Sequence, residues 1–110
     1  MEAIVSIVSG IILCTGTDET DDSWTKVNAW LDERGFGAMS RLDDNFGGHE
    51  RPRMLVGGIG VSMLPVNEFA AFVSSIRWER PDRVVLIIQL EEGRTRVWTN
   101  SARRSGRDPA

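Results

Sequence analysis

The sequence AIVSIVSGIILC, residues 3–14, is an almost unbroken row of apolar and small side chains. A second apolar row, VVLII, occupies residues 84–88. Runs of this length and composition are typical of strands in the interior of a β-sheet. Between them the apolar spacing becomes helical twice. The sequence therefore predicts one sheet with two covering helices, which is an α+β domain.

The spacing of apolar residues predicts five strands and two helices. The strands cover residues 3–15, 36–42, 54–63, 83–91 and 94–99. The first helix begins near residues 20–23 and ends at Arg34 and Gly35, because glycine adopts the left-handed conformation that closes a helix. The second begins near Pro65, buries one stripe from Phe69 to Ile76, and cannot continue through Pro81.

This order of elements, β-α-β-β-α-β followed by a C-terminal strand, predicts a ferredoxin-like antiparallel sheet with two helices on one face. A less regular α+β meander is the alternative, because the pairing of strand 36–42 is weakly specified. Residues 1–100 form the single domain, and we expect residues 101–110, an Arg-containing tail, to be disordered. Such a fold hosts unrelated functions, so it does not select among them.

The last two strands are predicted to form a hairpin around Glu92-Gly93. A two-residue loop pairs Gln89 with Arg96 and Ile87 with Trp98, and it leaves Trp98 as an exposed aromatic side chain. The hairpin also leaves an open sheet edge, which favours dimerisation or strand addition unless charged side chains such as Arg96 protect it.

No motif in the chain indicates a reaction. The glycine-rich stretch 57–60 lacks the third glycine of a dinucleotide site, because position 63 is Met63, and close strand packing is the favoured explanation. The polar loop from Asp43 has Met54 where a calcium loop needs a bidentate Glu. With His49 and Cys14 as the only histidine and cysteine, a four-ligand zinc site is not expected. We expect no metal, no cofactor and no catalytic residue, which favours a non-catalytic protein over an enzyme.

The net charge and the hydropathy of the chain narrow the classes of partner and the cellular locations that we expect. A net charge of −3 disfavours a nucleic-acid-binding domain, which needs clustered basic side chains. A weaker nucleic-acid hypothesis rests on Arg103, Arg104 and Arg107 of the tail. The N-terminal apolar row is shorter than the roughly 20 residues that cross a bilayer and lacks the flanks of a signal peptide. We expect a cytoplasmic protein without a membrane segment, and the lone cysteine agrees with a reducing compartment.

The leading functional hypothesis is a non-catalytic cytosolic protein-interaction domain, with a protein partner and homodimerisation left open. Its four Trp in 110 residues, together with Arg, are typical of binding hot spots. One version is an inhibitor or a toxin-immunity-type protein. The predicted partner-binding residues are Trp98, Arg94 and Arg96 on the hairpin and the acidic residues Asp18, Glu19, Asp21 and Asp22. For the acidic residues, a solvated helix start is the alternative.

A second hypothesis is a dimeric α+β barrel that binds a small apolar ligand, or performs a simple oxidation, between sheet and helices. His49 and Trp30 are its predicted ligand-binding residues. A pocket lined by His49 would favour this hypothesis. A filled core with an exposed Trp98 would favour the interaction domain.

Overall fold

The computed structural model describes residues 8–17, 19, 21–43, 46–50, 53–91 and 93–99. They form five strands and two α-helices: β1 Val8–Thr15, α1 Asp21–Glu33, β2 Ser40–Arg41, β3 Leu55–Ser62, α2 Val66–Ser75, β4 Val85–Leu90 and β5 Thr95–Thr99. A short 3₁₀ helix, Pro81–Arg83, precedes β4. The expected disordered tail, the first residues of the predicted first strand and Asp18 lie outside the described residues.

All five strands belong to one antiparallel sheet. Its order is β2-β3-β1-β4-β5, with β1 between β3 and β4. Ile12 of β1 lies opposite Gly58 of β3 and Ile87 of β4, which fixes the register at the centre of the sheet. The predicted α+β class is therefore confirmed, with β2 and β5 at the two edges.

Both helices pack on the same side of this sheet. Trp24, Val27 and Leu31 of α1 are buried, as are Phe69 and Val73 of α2, as the helical spacing predicted. They share one core cluster with the sheet residues Ile11, Leu13, Val61, Leu86 and Ile88. The predicted end of α1 is also confirmed, because Gly35 has φ +82° and the Phe36 N–H donates to Leu31 O at 2.9 Å.

Helix α2 ends before Pro81, as the sequence predicted, and close to the last residue of the predicted apolar stripe. It stops at Ser75, and Ile76 is already extended, five residues before Pro81. The indole N–H of Trp78 donates to Val73 O at 2.9 Å, which satisfies a carbonyl at the end of the helix. Pro81 instead begins the 3₁₀ helix.

Two predictions about the edges of the sheet are wrong. The second strand is only Ser40–Arg41 instead of residues 36–42. The hairpin loop has three residues instead of two, because Leu90 N–H donates to Arg94 O at 2.8 Å and Gly93 has φ +101°. Trp98 therefore pairs with Leu86 instead of Ile87, and this one-residue shift moves its side chain to the helix-covered side.

Candidate functional site

The side of the sheet opposite the helices carries the candidate site, which we call the open sheet face. Side chains alternate between the two sides of a strand, so the pairing register defines its members. They are Val8, Gly10, Ile12 and Cys14 of β1, Ser40 of β2, Val56, Gly58, Gly60 and Ser62 of β3, Val85, Ile87 and Gln89 of β4, and Thr95, Val97 and Thr99 of β5.

In β1 and β4 exposure follows the same alternation, whereas in β3 Val56 of the open sheet face is only 6% exposed. In β1 the helix-covered residues are buried, whereas Val8 and Gly10 are exposed and Ile12 and Cys14 are half-buried. In β4 the buried Leu86 and Ile88 alternate with the half-buried Ile87 and the exposed Gln89. The open sheet face is thus partly accessible, and it keeps apolar residues at the centre of the sheet.

Apolar side chains also project from the ends and edge of this face. Val97 is 57% exposed and Val8 is 45% exposed. Both are β-branched residues that suit a packed strand surface. Exposed positions on a solvated antiparallel sheet are usually polar, so these two side chains set this face apart from an ordinary solvated surface.

A groove of about 390 Å³ lies across the middle of the open sheet face. Gly10, Gly58 and Gly60 contribute no side chain to it, and Ile12 and Ile87 line it. A Cβ atom added at Gly10 or Gly60 would meet nothing within 4 Å, so there is open space above both. The groove has the size of a small-molecule site but only hydrophobic side chains and the amide of Gln89 around it.

Leu42 closes one side of this groove. It follows β2, and its N–H donates to Val56 O at 2.7 Å. A Cβ atom at Gly58 would lie 2.8 Å from Leu42 Cδ1 and 3.3 Å from Ile12 Cδ1, so a larger residue there would displace the ends of these two side chains. The predicted close packing around the glycines of β3 is confirmed at Gly58 and at Gly57, whereas Gly60 has no such neighbour.

The open sheet face has no charged side chain among its described members. Its one titratable group is Cys14, and burial raises the pKa of this thiol above its ordinary value. A raised pKa leaves less thiolate at neutral pH, so Cys14 is a poor nucleophile there.

The three partner-binding residues predicted on the hairpin differ in exposure. Arg94 and Arg96 are exposed, but Trp98 is half-buried and packs against the core. The Arg96 guanidinium lies 5.1 Å from the centroid of the Trp98 ring, on the helix-covered side of the edge strand. Trp98 is therefore not the exposed aromatic that the sequence predicted.

The acidic residues predicted to bind a partner also differ in exposure. Asp21 and Asp22 are exposed in the first turn of α1, and Asp22 lies 3.5 Å from Lys26. Glu19 is only 8% exposed, and its Oε2 accepts a hydrogen bond from the Arg80 N–H at 2.8 Å. These residues follow the end of β1, whereas Arg94 lies beside its beginning, so the two predicted surfaces are at opposite ends of the sheet.

The two predicted ligand-binding residues, His49 and Trp30, lie in different environments. His49 is exposed in the loop after β2 and does not line the groove. Trp30 is 7% exposed, its ring centroid is 5.1 Å from that of Phe69, and Arg34 stacks on it at 3.8 Å. Trp30 is thus part of the core, and the structure does not bring it together with His49 at one pocket.

Comparison with known proteins identifies no relative of this chain. The chain matches no protein-family model, and no curated protein or solved structure is significantly similar to it. Among the described residues, none of the helices has the length and apolar character of a membrane span. The same part of the chain contains no group of three or more His, Cys, Asp or Glu side chains arranged to hold a metal ion.

Sequence reasoning missed the open sheet face. The apolar runs of β1 and β4 predict central strands that locate the core, and the predicted hairpin register places Ile87 on the more solvated face, opposite Trp98. The sequence did contain a signal for this face. The two runs are apolar at almost every position, but only two helices are predicted, and both are expected on one face of the sheet. With both described helices on one side, the described part of the chain places no helix over the apolar residues of the opposite side.

Proposed function

We propose that this chain is a non-catalytic protein-interaction domain that self-associates by pairing the open sheet faces of two copies. The observation that carries the proposal is a mismatch between the apolar residues on both sides of the central strands and the helices on only one side. The central strands have apolar residues on both sides, as in sheets buried on both sides. Both described helices lie on one side. A second copy supplies the missing cover.

The composition of the face supports a second copy as the occupant. Its described members include no charged side chain, so two identical faces meet without repulsion between like charges. Two-fold pairing requires a self-complementary surface. The exposed Val97 and the groove above Gly10 and Gly60 provide a projection and a recess on the same face.

The size of the face also fits. The five strands contain 8, 2, 8, 6 and 5 residues, and at about 3.3 Å per residue and about 4.8 Å between strands they give a flat area of roughly 460 Å². The accessible surface of projecting side chains is larger than this flat area. A standard interface buries about 800 Å² on each partner. Two sheets packed about 10 Å apart at about −30° form the ordinary sandwich arrangement.

The experiment is sedimentation velocity on the wild-type protein and on Val97→Lys across micromolar concentrations. We expect the wild type to shift from monomer to dimer, and we expect the lysine to weaken the dimer at least tenfold because its charge would be buried without a partner. Ala71→Lys is the matched control, because Ala71 is exposed on α2, on the other side of the sheet. A wild-type monomer at all concentrations would contradict the proposal.

We further propose that the sheet is a ferredoxin-like sheet with β5 added beside β4. The neighbour order β4-β1-β3-β2 and the two helices on one side support this interpretation. The cytoplasm remains the proposed location, supported by the single cysteine. An inhibitor or toxin-immunity role would use the same face with a different protein, and a heterodimer in native mass spectrometry would favour it.

A second candidate function is favoured by the groove itself. Two paired sheets would enclose the groove of each copy, and its apolar lining suits a small apolar ligand. This is the dimeric α+β barrel hypothesis with the ligand between the two sheets instead of between sheet and helices. Native mass spectrometry separates the two functions. A dimer of twice the chain mass supports association alone, and a dimer with added mass supports a bound ligand.

A further inference from the structure

A second pocket lies at the end of β1, away from the open sheet face. It has a volume of about 60 Å³ and is lined by Gly16, Thr17, Arg53, Arg80 and Arg83. Three of its five lining residues are thus arginines, in a protein whose net charge is −3. Such a concentration of guanidinium groups around a small space is the usual chemistry of an oxyanion site.

The chain holds two of these arginines firmly at the pocket. The Arg80 N–H is bound to the buried carboxylate of Glu19 at 2.8 Å, across 61 residues of sequence. The 3₁₀ helix then brings Arg83 beside Arg80, with the Arg83 N–H donating to Arg80 O at 2.9 Å. A Cβ atom at Gly16 would lie 3.3 Å from Arg83 Cγ and 3.5 Å from Arg80 Cβ, so the arginine stems pack directly on this glycine.

The nearby acidic groups offset only part of this positive charge. Asp82 lies 3.4 Å from the Arg80 guanidinium, and the Glu19 carboxylate is held on the Arg80 backbone. Within the part of the chain that the structure describes, neither Arg53 nor Arg83 has an acidic side chain at ion-pair distance. Two like charges at one small pocket repel each other, and an anion between them removes that repulsion.

We propose that this pocket binds a phosphoryl group. Its volume suits one tetrahedral oxyanion or a few water molecules, and it is far below the 300–1,000 Å³ of a pocket for a whole nucleotide-sized ligand. The guanidinium groups of Arg53 and Arg83 and the Thr17 hydroxyl offer donors to several oxygens at once, while the Arg80 guanidinium is bound to Asp82 and adds positive charge. A phosphoryl group has three terminal oxygens to accept from such donors, whereas a carboxylate has two. This proposal does not depend on association through the open sheet face.

The test is a calorimetric titration with inorganic phosphate at constant ionic strength, using the full chain and three variants. We expect Arg83→Gln and Arg53→Gln each to weaken phosphate binding by about tenfold or more, because each removes a charge-assisted contact. Gln keeps the Cβ and Cγ atoms that pack on Gly16, so the fold is preserved at position 83. The matched control is Arg77→Gln, an exposed arginine outside the pocket, which we expect to bind phosphate like the wild type.

Three results would overturn the proposal: no phosphate binding by the wild type, equal weakening by the control variant, or acetate binding as tightly as phosphate. If Arg83→Gln fails to fold, Arg53→Gln, a change at an exposed residue, is compared alone with the wild type and with Arg77→Gln. Titration with glycerol 3-phosphate identifies the source of the group. Tighter binding than inorganic phosphate supports a phosphate monoester, and equal or weaker binding supports the free ion.

Discussion

At the residue scale, two glycines of β3 have different reasons to be glycine. A Cβ atom at Gly57 would lie 2.7 Å from Cζ3 of Trp24, which is a rigid ring in the core. The Trp24 indole N–H is itself held by the Thr15 hydroxyl at 3.2 Å, so the ring has little freedom to move away. Gly60, in the same strand, has nothing within 4 Å of the corresponding position.

We therefore expect Gly57→Ala to lower the free energy of unfolding by about 1–3 kcal/mol through overpacking. Gly60→Ala, the matched control, should change it by no more than about 0.5 kcal/mol. Urea unfolding followed by tryptophan fluorescence measures both. Equal losses for the two variants would show that strand flexibility, rather than contact with Trp24, determines the cost.

At the element scale, β2 is held to the sheet by very few contacts. It has only two residue pairs with β3, Ser40 with Gly58 and Arg41 with Gly57. Asp43 strengthens this attachment, because its Oδ1 accepts from Arg41 Nε at 2.8 Å and from the Val56 N–H at 3.2 Å. The hydrogen bond from Arg41 is the main reason that the pKa of Asp43 lies below its ordinary value. The Val56 N–H contributes less, and burial opposes both.

We expect Asp43→Asn to lower the free energy of unfolding by about 1 kcal/mol at neutral pH. A lowered folded-state pKa stabilises the protein above the ordinary carboxyl pKa, and this contribution is lost as the pH falls through the lowered value. The difference between wild type and variant should therefore shrink at acidic pH. Urea unfolding at several pH values measures it. Asp32→Asn, an exposed change of the same charge on α1, should show no comparable loss, and a pH-independent difference would contradict this assignment.

The elements also show how far the sequence could predict this fold. Helical stripes such as Phe69 to Ile76 were read correctly because the spacing that buries them is local. The hairpin register was not, since it depends on whether Gly93 is the second or the third loop residue. A shift of one residue moves every side chain of β5 to the other face. That shift took Trp98 into the core and put Val97 on the open sheet face.

At the scale of the whole molecule, the candidate site was hidden for a different reason. A central strand needs apolar residues on both sides whether its second cover comes from the same chain or from another molecule. The apolar runs that contain Ile12 and Ile87 therefore predict central strands without showing what covers their second side. Only the placement of both helices on one side shows that the described part of the chain puts no helix over the other side. The arginine pocket was equally hidden, because Arg53 comes from a different part of the chain than Arg80 and Arg83 and meets them only after folding.

The proposed dimer places a natural reporter at its interface, because Cys14 is half-buried on the open sheet face. Burial raises the pKa of this thiol, so its thiolate fraction at a given pH is below that of an unfolded chain. Alkylation by iodoacetamide should thus be slower in the native protein than in urea, with its pH midpoint above the ordinary thiol value. By the same linkage, the raised pKa contributes stability below the ordinary thiol pKa, and that contribution is lost as the pH rises through the raised value.

Association should protect Cys14 further. At a total chain concentration ten times the dimer dissociation constant, about one fifth of the chains are monomers, so we expect alkylation about fivefold slower than at high dilution. In Val97→Lys, whose dimer is at least tenfold weaker, at least about half of the chains are monomers at that concentration, so alkylation should slow by no more than about twofold. In Ala71→Lys it should follow the wild type. If the wild-type thiol reacts at one rate at all concentrations although sedimentation shows a dimer, the two copies associate through a surface other than the open sheet face. If the thiol is equally protected in a monomer, the cover of this face comes from the chain itself.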